Sequence, residues 1–198
     1  MNIDWLDISA TLGLCAMFFL TFNLLLGIII STPYRRSALW NRLPYFLKKV
    51  SLVWLHNWTA YTALSVALTH PLLLLAAKAT KFGVADVLLP FHAPQQQLWV
   101  SAGVLALYAL ILVIITTQKV IKQKMSFRTW KNVHLISYGT ALLFLIHGLM
   151  MDPELKDRPP DLLDGEKLLC EVCILVLLAA VIARYAYFLK HRKQKNSV

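Results

Sequence analysis

Acidic residues are scarce in this chain. Ten Asp and Glu stand against twenty Lys and Arg, and charges of both signs occupy only 15% of 198 positions. An ordinary soluble domain carries about a quarter, so a water-facing surface is missing from much of the sequence. Glycine is also sparse, with seven residues, and no glycine-rich phosphate loop occurs, which removes the usual nucleotide-binding fingerprints. No Ser–His–Asp set or carboxylate pair stands out, so a hydrolase is not indicated. No internal repeat or low-complexity segment is visible. The connections are too short for a second domain, and a single domain over 1–198 is expected.

Apolar residues make up 58% of the chain, and mean hydropathy is +0.60. They are gathered into runs at 8–31, 50–77, 97–117, 133–151 and 168–189, each about 19–28 residues long. About 20 apolar residues in a helix cross the hydrocarbon core of a bilayer. The expected fold is therefore all-α: an integral membrane bundle of about five transmembrane helices. The first run is too long for the core of a signal peptide and lacks a basic leader and a cleavage site, so it is read as a true span.

Charge sets the expected orientation. Arg35, Arg36, Arg42, Lys48 and Lys49 lie between the first two runs. Lys119, Lys122, Lys124, Arg128 and Lys131 lie between the third and fourth. Arg184, Lys190, Arg192, Lys193 and Lys195 end the chain. These 15 cations share one side with no acid, whereas all ten acids and only five cations fall on the other. Excess Lys and Arg marks the cytoplasm. The N-terminus is expected outside and the C-terminus inside, as an odd number of spans requires. Topology and anionic lipid also explain the net charge of +10, so nucleic acid is not an expected partner.

Four histidines fall inside the runs. The second carries His56 and His70, fourteen residues apart; the fourth carries His134 and His147, thirteen apart. Both runs travel outward, so each holds one inner and one outer imidazole, about 20 Å apart at 1.5 Å per residue. At about 100° per residue, fourteen residues return to within about 40° of the starting face, whereas thirteen miss it by about 140°. Pairing across the two helices therefore asks for a distortion of the fourth, for which Gly139 offers a place.

Ionisable side chains are costly in a membrane and usually functional. A satisfied interhelical hydrogen bond explains one such histidine; it explains four matched in depth less well. Imidazole is a common metal ligand and a frequent axial ligand of haem iron. The expectation is two haem b groups, His56 with His134 at the inner level and His70 with His147 at the outer. Zinc would need further ligands close by, and no Cys, Asp or Glu is near these histidines in sequence. Cys170 and Cys173 form C-x2-C with no histidine after it, so covalent haem attachment is not indicated. They are read as soft buried side chains, and Cys15 as inert.

The segment "TTQKVIKQKMSFRTWKNVHLISYGTALLFLIHGL" (116–149) resembles the ferric reductase-like transmembrane domain, a family of ferric-chelate reductases, NADPH oxidases and MsrQ-type haem subunits. The shared pattern is Trp130, His134, Tyr138 and His147. The "STPYRR" stretch and the H-x13-H of the second run fit as well, and the resemblance covers roughly 10–190. It implies a diheme membrane cytochrome b that moves electrons from a cytosolic flavin or NAD(P)H reductase to an outer-side acceptor: ferric chelate, oxygen or a periplasmic redox protein. Family members often have six spans, and many continue into a flavin and nicotinamide module; five spans and no such module are expected here, with flavin acting through a partner. MsrQ-type proteins have this length but lack a counterpart of His56.

Haem propionates need cationic partners. Arg35, Arg36, Lys48, Lys49 and Lys131 are candidates at the inner level; Lys78, Lys81 and Arg158 are candidates at the outer. Pro71 either kinks the second helix so as to aim His70 or begins its exit. Trp58, Tyr61, Tyr138 and Phe144 are expected between the two levels, as packing or as shapers of the route. His92, in the outer loop, and His191 receive no role. Two other classes remain open: a quinol-linked cytochrome b subunit of a larger complex, and a haem-free metal transporter or assembly factor. A bacterial inner membrane suits a short chain of this kind.

Overall fold

The structure is a computed structural model and describes residues 4–77, 80–151 and 165–195. Five long helices dominate: α1 (Trp5–Ile30), α4 (Leu52–Ala76), α6 (Gln97–Thr117), α8 (Phe127–Met150) and α9 (Gly165–Lys195). Short helices α2 (Ala38–Arg42) and α3 (Tyr45–Lys48) join α1 to α4; α5 (Val84–Leu88) precedes α6, and α7 (Lys119–Lys122) follows it. No strand occurs among the described residues. All five long helices are long and apolar enough to cross a membrane. The chain is a multi-pass integral membrane protein.

Local chemistry sets the helix starts. Asp4 caps α1 by accepting from the Leu6 N–H at 2.9 Å, Ser51 caps α4 through Trp54, and Ser126 caps α8 through Thr129. Such caps satisfy backbone donors that the first turn leaves unpaired. Hydropathy alone places the start of the fourth span at 133. The Ser126 cap starts α8 six residues earlier, so its first turns carry Arg128 and Lys131 outside the apolar run. Pro71 sits inside α4, which continues to Ala76, so the proline is not the helix's exit.

α1 packs chiefly on α4, and α6 on α8, with α9 against α1 and α8. Small side chains allow the close approach: Ala63 and Ala106 are completely buried. In lipid, packing of this kind rather than expulsion of water holds helices together. The outward faces are apolar, with Leu175 65% and Leu142 59% exposed; water would not tolerate so continuous a surface, whereas hydrocarbon does. Cys170 and Cys173 are buried between α9 and its neighbours, as expected, whereas Cys15 faces outward. Trp58 and Tyr61, which lie between His56 and His70 along α4, are also exposed and face outward.

The loop before α6 is pinned by charge. Asp86 accepts from the Gly83 N–H at 2.7 Å and pairs with His92 Nδ1 at 2.6 Å. The Gly83 N–H, and after it the His92 ring, hold its carboxyl below the ordinary value of 3.8. A depressed carboxylate stabilises the fold above its unfolded pKa, and that contribution is lost as pH falls through the lowered folded value. Amide protection at Gly83 should therefore persist from neutral pH to about 4 and decline below it, and Asp86→Asn, which keeps an acceptor but loses the charge, should lower it and remove its dependence on pH. Hydrogen exchange followed across pH checks both.

Candidate functional site

The four intramembrane histidines meet in two pairs. His56 of α4 faces His134 of α8, and His70 of α4 faces His147 of α8; in each pair the ring centres are 6.2 Å apart. The ring planes cross at 67° and 73°. α8 is helical throughout and Gly139 lies in open space, so the pairing uses no break in the helix. The rings instead depart from α8 in different directions. His147 turns onto α6, where its Nδ1–H donates to the Trp99 carbonyl at 2.7 Å. His134 stacks on Trp130 of its own helix, 5.3 Å away and 18° from parallel.

Three of the rings are oriented the same way. His56 Nδ1–H donates to the Asn23 carbonyl at 3.0 Å, and His70 Nδ1–H donates to the Ser9 carbonyl at 2.6 Å. A carbonyl only accepts, so the proton of each neutral ring sits on Nδ1 and the lone pair is on Nε2. This is the arrangement that prepares an imidazole to ligate a metal, because the hydrogen bond fixes the tautomer and raises the basicity of the free nitrogen. α1 is secured behind the α4 histidines by two polar side chains. Ser9 Oγ–H donates to the His70 carbonyl at 2.8 Å, and Asn23 Nδ2–H donates to the His56 carbonyl and to Thr59 Oγ1.

Glycines make room for the same three rings. A Cβ at Gly13 would lie 3.2 Å from His70, one at Gly27 would lie 3.3 Å from His56, and one at Gly103 would lie 2.8 Å from His147. Sequence reasoning passed over these residues, though a signal was there: Gly13 and Gly27 are fourteen apart, the spacing of the histidines on the antiparallel neighbour.

The His70–His147 pair, at the level expected to be the outer one, opens on a cavity of about 130 Å³ that is continuous with the exterior. Its walls are mainly apolar, including Leu14, Val104 and Phe144, with His70, His147 and Lys167 as polar features. At the inner pair, His134 Nδ1 and Trp130 Nε1 are buried without a hydrogen-bond partner among the described residues. Lys122 Nζ stands 4.0 Å from the centre of the Trp130 ring. The two levels are thus built differently, with carbonyl support for both rings outside and for only one inside.

The sequence-nominated cations are mostly elsewhere engaged. Arg35 Nε–H donates to Tyr34 Oη and Lys48 Nζ–H to the Asn41 carbonyl, while Lys131 is exposed on α8. The Arg36 side chain, Lys78, Arg158 and the acidic stretch 152–164 lie outside the described residues. Two cations not nominated for this role lie on α9. Lys167, only 4% exposed, lines the outer cavity. Arg184 donates to Tyr138 Oη, one turn from His134.

The residues fit a bis-imidazole metal centre at each level. A ring nitrogen is about 1.1 Å from its ring centre and metal–imidazole bonds are about 2.0–2.1 Å, so two rings on opposite sides of one ion have centres about 6.4 Å apart. The observed spacing is close to that. Two side chains do not satisfy a bare ion, and no group of three or more His, Cys, Asp or Glu suited to one occurs among the described residues. A macrocycle that brings its own in-plane nitrogens needs only the two axial ligands present here.

The comparisons point the same way. The family model described as "Ferric reductase like transmembrane component" matches residues 12–145. That stretch is most of the chain and holds His56, His70 and His134 with the three glycines; His147 lies two residues beyond it. No curated protein and no solved structure matches. Five apolar spans, paired intramembrane histidines and this match make the assignment: the chain belongs to the ferric reductase-like transmembrane family, which points to a transmembrane electron-transfer component.

Proposed function

We propose that the protein is a b-type cytochrome holding two haems, one between His56 and His134 and one between His70 and His147. Electrons enter from a cytosolic flavin or NAD(P)H reductase, pass the inner level first, and leave to an outer-side acceptor such as ferric chelate, oxygen or a periplasmic redox protein. The observation that carries the reading is the repetition of one geometry: two imidazole pairs with ring centres 6.2 Å apart, set about 20 Å apart along α4 and α8.

Each part of the chain has a task in this scheme. The haems supply one-electron chemistry when bound. The carbonyls of Ser9, Asn23 and Trp99 hold three rings with Nε2 presented. The apolar walls of the outer cavity keep water from the metal. An imidazole on each side would leave no coordination position open to a diatomic, so each pair would hold a group that relays electrons and does not bind oxygen. The basic loops bearing Arg35, Arg42, Lys48, Lys119 and Lys122 face the cytoplasm by the excess of Lys and Arg, with the N-terminus outside. They offer a docking face for an acidic flavoprotein. A bacterial inner membrane suits the chain.

The first test is an absorption spectrum of the purified chain, oxidised and dithionite-reduced, with haem extracted and counted. Two b-type haems per chain support the reading. One haem removes the inner pair and moves the protein toward the MsrQ type. None, after expression with ample haem, overturns it and leaves the haem-free metal carrier.

A further inference from the structure

α9 carries none of the four histidines and lies beyond the residues that the family model matches. It nevertheless delivers one cation to each level. Lys167, at its outer end, is nearly fully buried and lines the cavity with His70 and His147. Its Nζ–H groups donate to the carbonyls of Gly148 at 3.1 Å and of Met151, the unpaired carbonyls at the end of α8. Arg184, toward the inner end, donates to Tyr138 Oη, and its guanidinium carbon is 5.9 Å from the Tyr138 ring centre. Tyr138 is four residues from His134 and nine from His147, so it stands about 6 Å from the inner level and about 13 Å from the outer.

Among the described residues, both cations have neutral partners only. The one ion pair among the described residues is His92–Asp86, far along the chain. Glu171, one turn from Lys167, makes no ion pair with it among the described residues. A charge removed from water is expensive unless a counter-charge meets it, and cations inside a membrane mark functional sites. Carbonyls and a phenol hydroxyl offset part of that cost and supply no charge. An anion at each level would complete both sites.

We propose that Lys167 and Arg184 are the counter-charges for the carboxylate side arms of the tetrapyrroles, Lys167 at the outer level and Arg184 at the inner. This rests on the diheme reading above. The Lys167 ammonium has a third donor to give beyond the two α8 carbonyls, and the Arg184 fork has four beyond Tyr138. α9 thus acts as a counter-ion rail behind the ligand helices, and each cation raises the potential of the haem beside it by favouring the less positive, reduced iron.

The test is a spectroscopic redox titration of the full-length holoprotein. Lys167→Gln and Arg184→Gln remove charge while keeping an N–H donor for the carbonyls and for Tyr138. Lys167→Gln should lower one of the two midpoint potentials and leave the other in place. Arg184→Gln should lower the one that Lys167→Gln spares, and Lys167→Arg and Arg184→Lys should restore both. Potentials that stay put, or that move together in either variant, overturn the proposal; the latter is what a merely structural role, or a lipid headgroup as the anion, would give. Should Lys167→Gln fail to fold, a second measurement decides. Haem-depleted membranes are refilled with haem or with its dimethyl ester. The parent should retain the ester about tenfold less well at each level, the worth of a charge-assisted hydrogen bond, and Arg184→Gln should lose that discrimination at one of the two haems. Equal discrimination by both overturns the proposal. A parent without haem is a separate outcome: it removes the diheme reading itself and is visible in the first spectrum.

Discussion

Replacing His147 with alanine should leave one haem per chain where the parent holds two, and should cut electron flow from an inner donor to an outer acceptor by more than about 100-fold. Loss of a supporting residue around a metal ligand already costs about 10–100-fold; loss of the ligand itself costs more. The substitution also leaves about 20 Å of the membrane without a redox centre. His70→Ala should give the same result, because it removes the other half of the same pair. The two effects should not add: once one ring is gone, the second has no iron to share. His92→Ala supplies the contrast. That ring is exposed and bound to Asp86 in the outer loop, so both haems and the transmembrane flow should survive. Haem extraction with a single-turnover assay in vesicles reads all four proteins. Two haems in His147→Ala would dissolve the outer pair as drawn.

The inner variants need not mirror the outer ones. His56 is braced by the Asn23 carbonyl, whereas His134 leans on Trp130 and its Nδ1 has no acceptor among the described residues. Basicity follows the hydrogen bond on the far nitrogen, so the inner centre has one strong ligand and one weaker one. On the diheme reading proposed above, that difference should give the two haems distinct spectra and potentials, so that each can be followed in the presence of the other.

Much of this was legible in the sequence, because the bilayer enforces simple rules. Run length gave five spans, and the matched depths of His56, His70, His134 and His147 gave the two pairs. Helical periodicity was a poorer guide. It denies His134 and His147 a common face, yet they pair without a break in α8, since an imidazole on a rotatable stem can leave the helix toward α6 or lie back along Trp130. Periodicity fixes where a Cβ points and not where a ring ends up. The supporting residues were hidden for another reason. The groups that orient the rings are backbone carbonyls of Ser9, Asn23 and Trp99, and a carbonyl has no letter of its own. Lys167 was hidden among the outer charges, where topology seemed to explain it; burial sets it apart.

The glycine behind His147 separates room from conformational freedom. Gly103 lies in the middle of α6, where alanine would ordinarily stabilise a helix by about 0.5–1 kcal/mol. Here an added Cβ would sit 2.8 Å from His147 Nδ1 and 2.9 Å from its Cε1. Contact that close forces the ring or the helix to move. Overpacking of this sort costs about 1–3 kcal/mol, which exceeds the propensity gain. The ring is also held by the Trp99 carbonyl at 2.7 Å, one turn before Gly103 on the same helix, so a ring that yields to the Cβ gives up the bond that presents Nε2. Gly103→Ala should therefore loosen the outer haem and leave the inner one in place, and Gly103→Val should lose it. Gly139→Ala is the matching control, because nothing lies within 4 Å of its Cβ; both haems should remain and stability should hold or rise by about 0.5 kcal/mol. Gly13→Ala and Gly27→Ala fall between, since their contacts at 3.2 and 3.3 Å need only a small shift of the ring. The order of haem retention should be Gly139→Ala first, then Gly27→Ala and Gly13→Ala, then Gly103→Ala. Haem release measured against temperature ranks them, and a Gly103→Ala protein that keeps its outer haem as firmly as the Gly139→Ala protein would show that the ring has space the structure denies it.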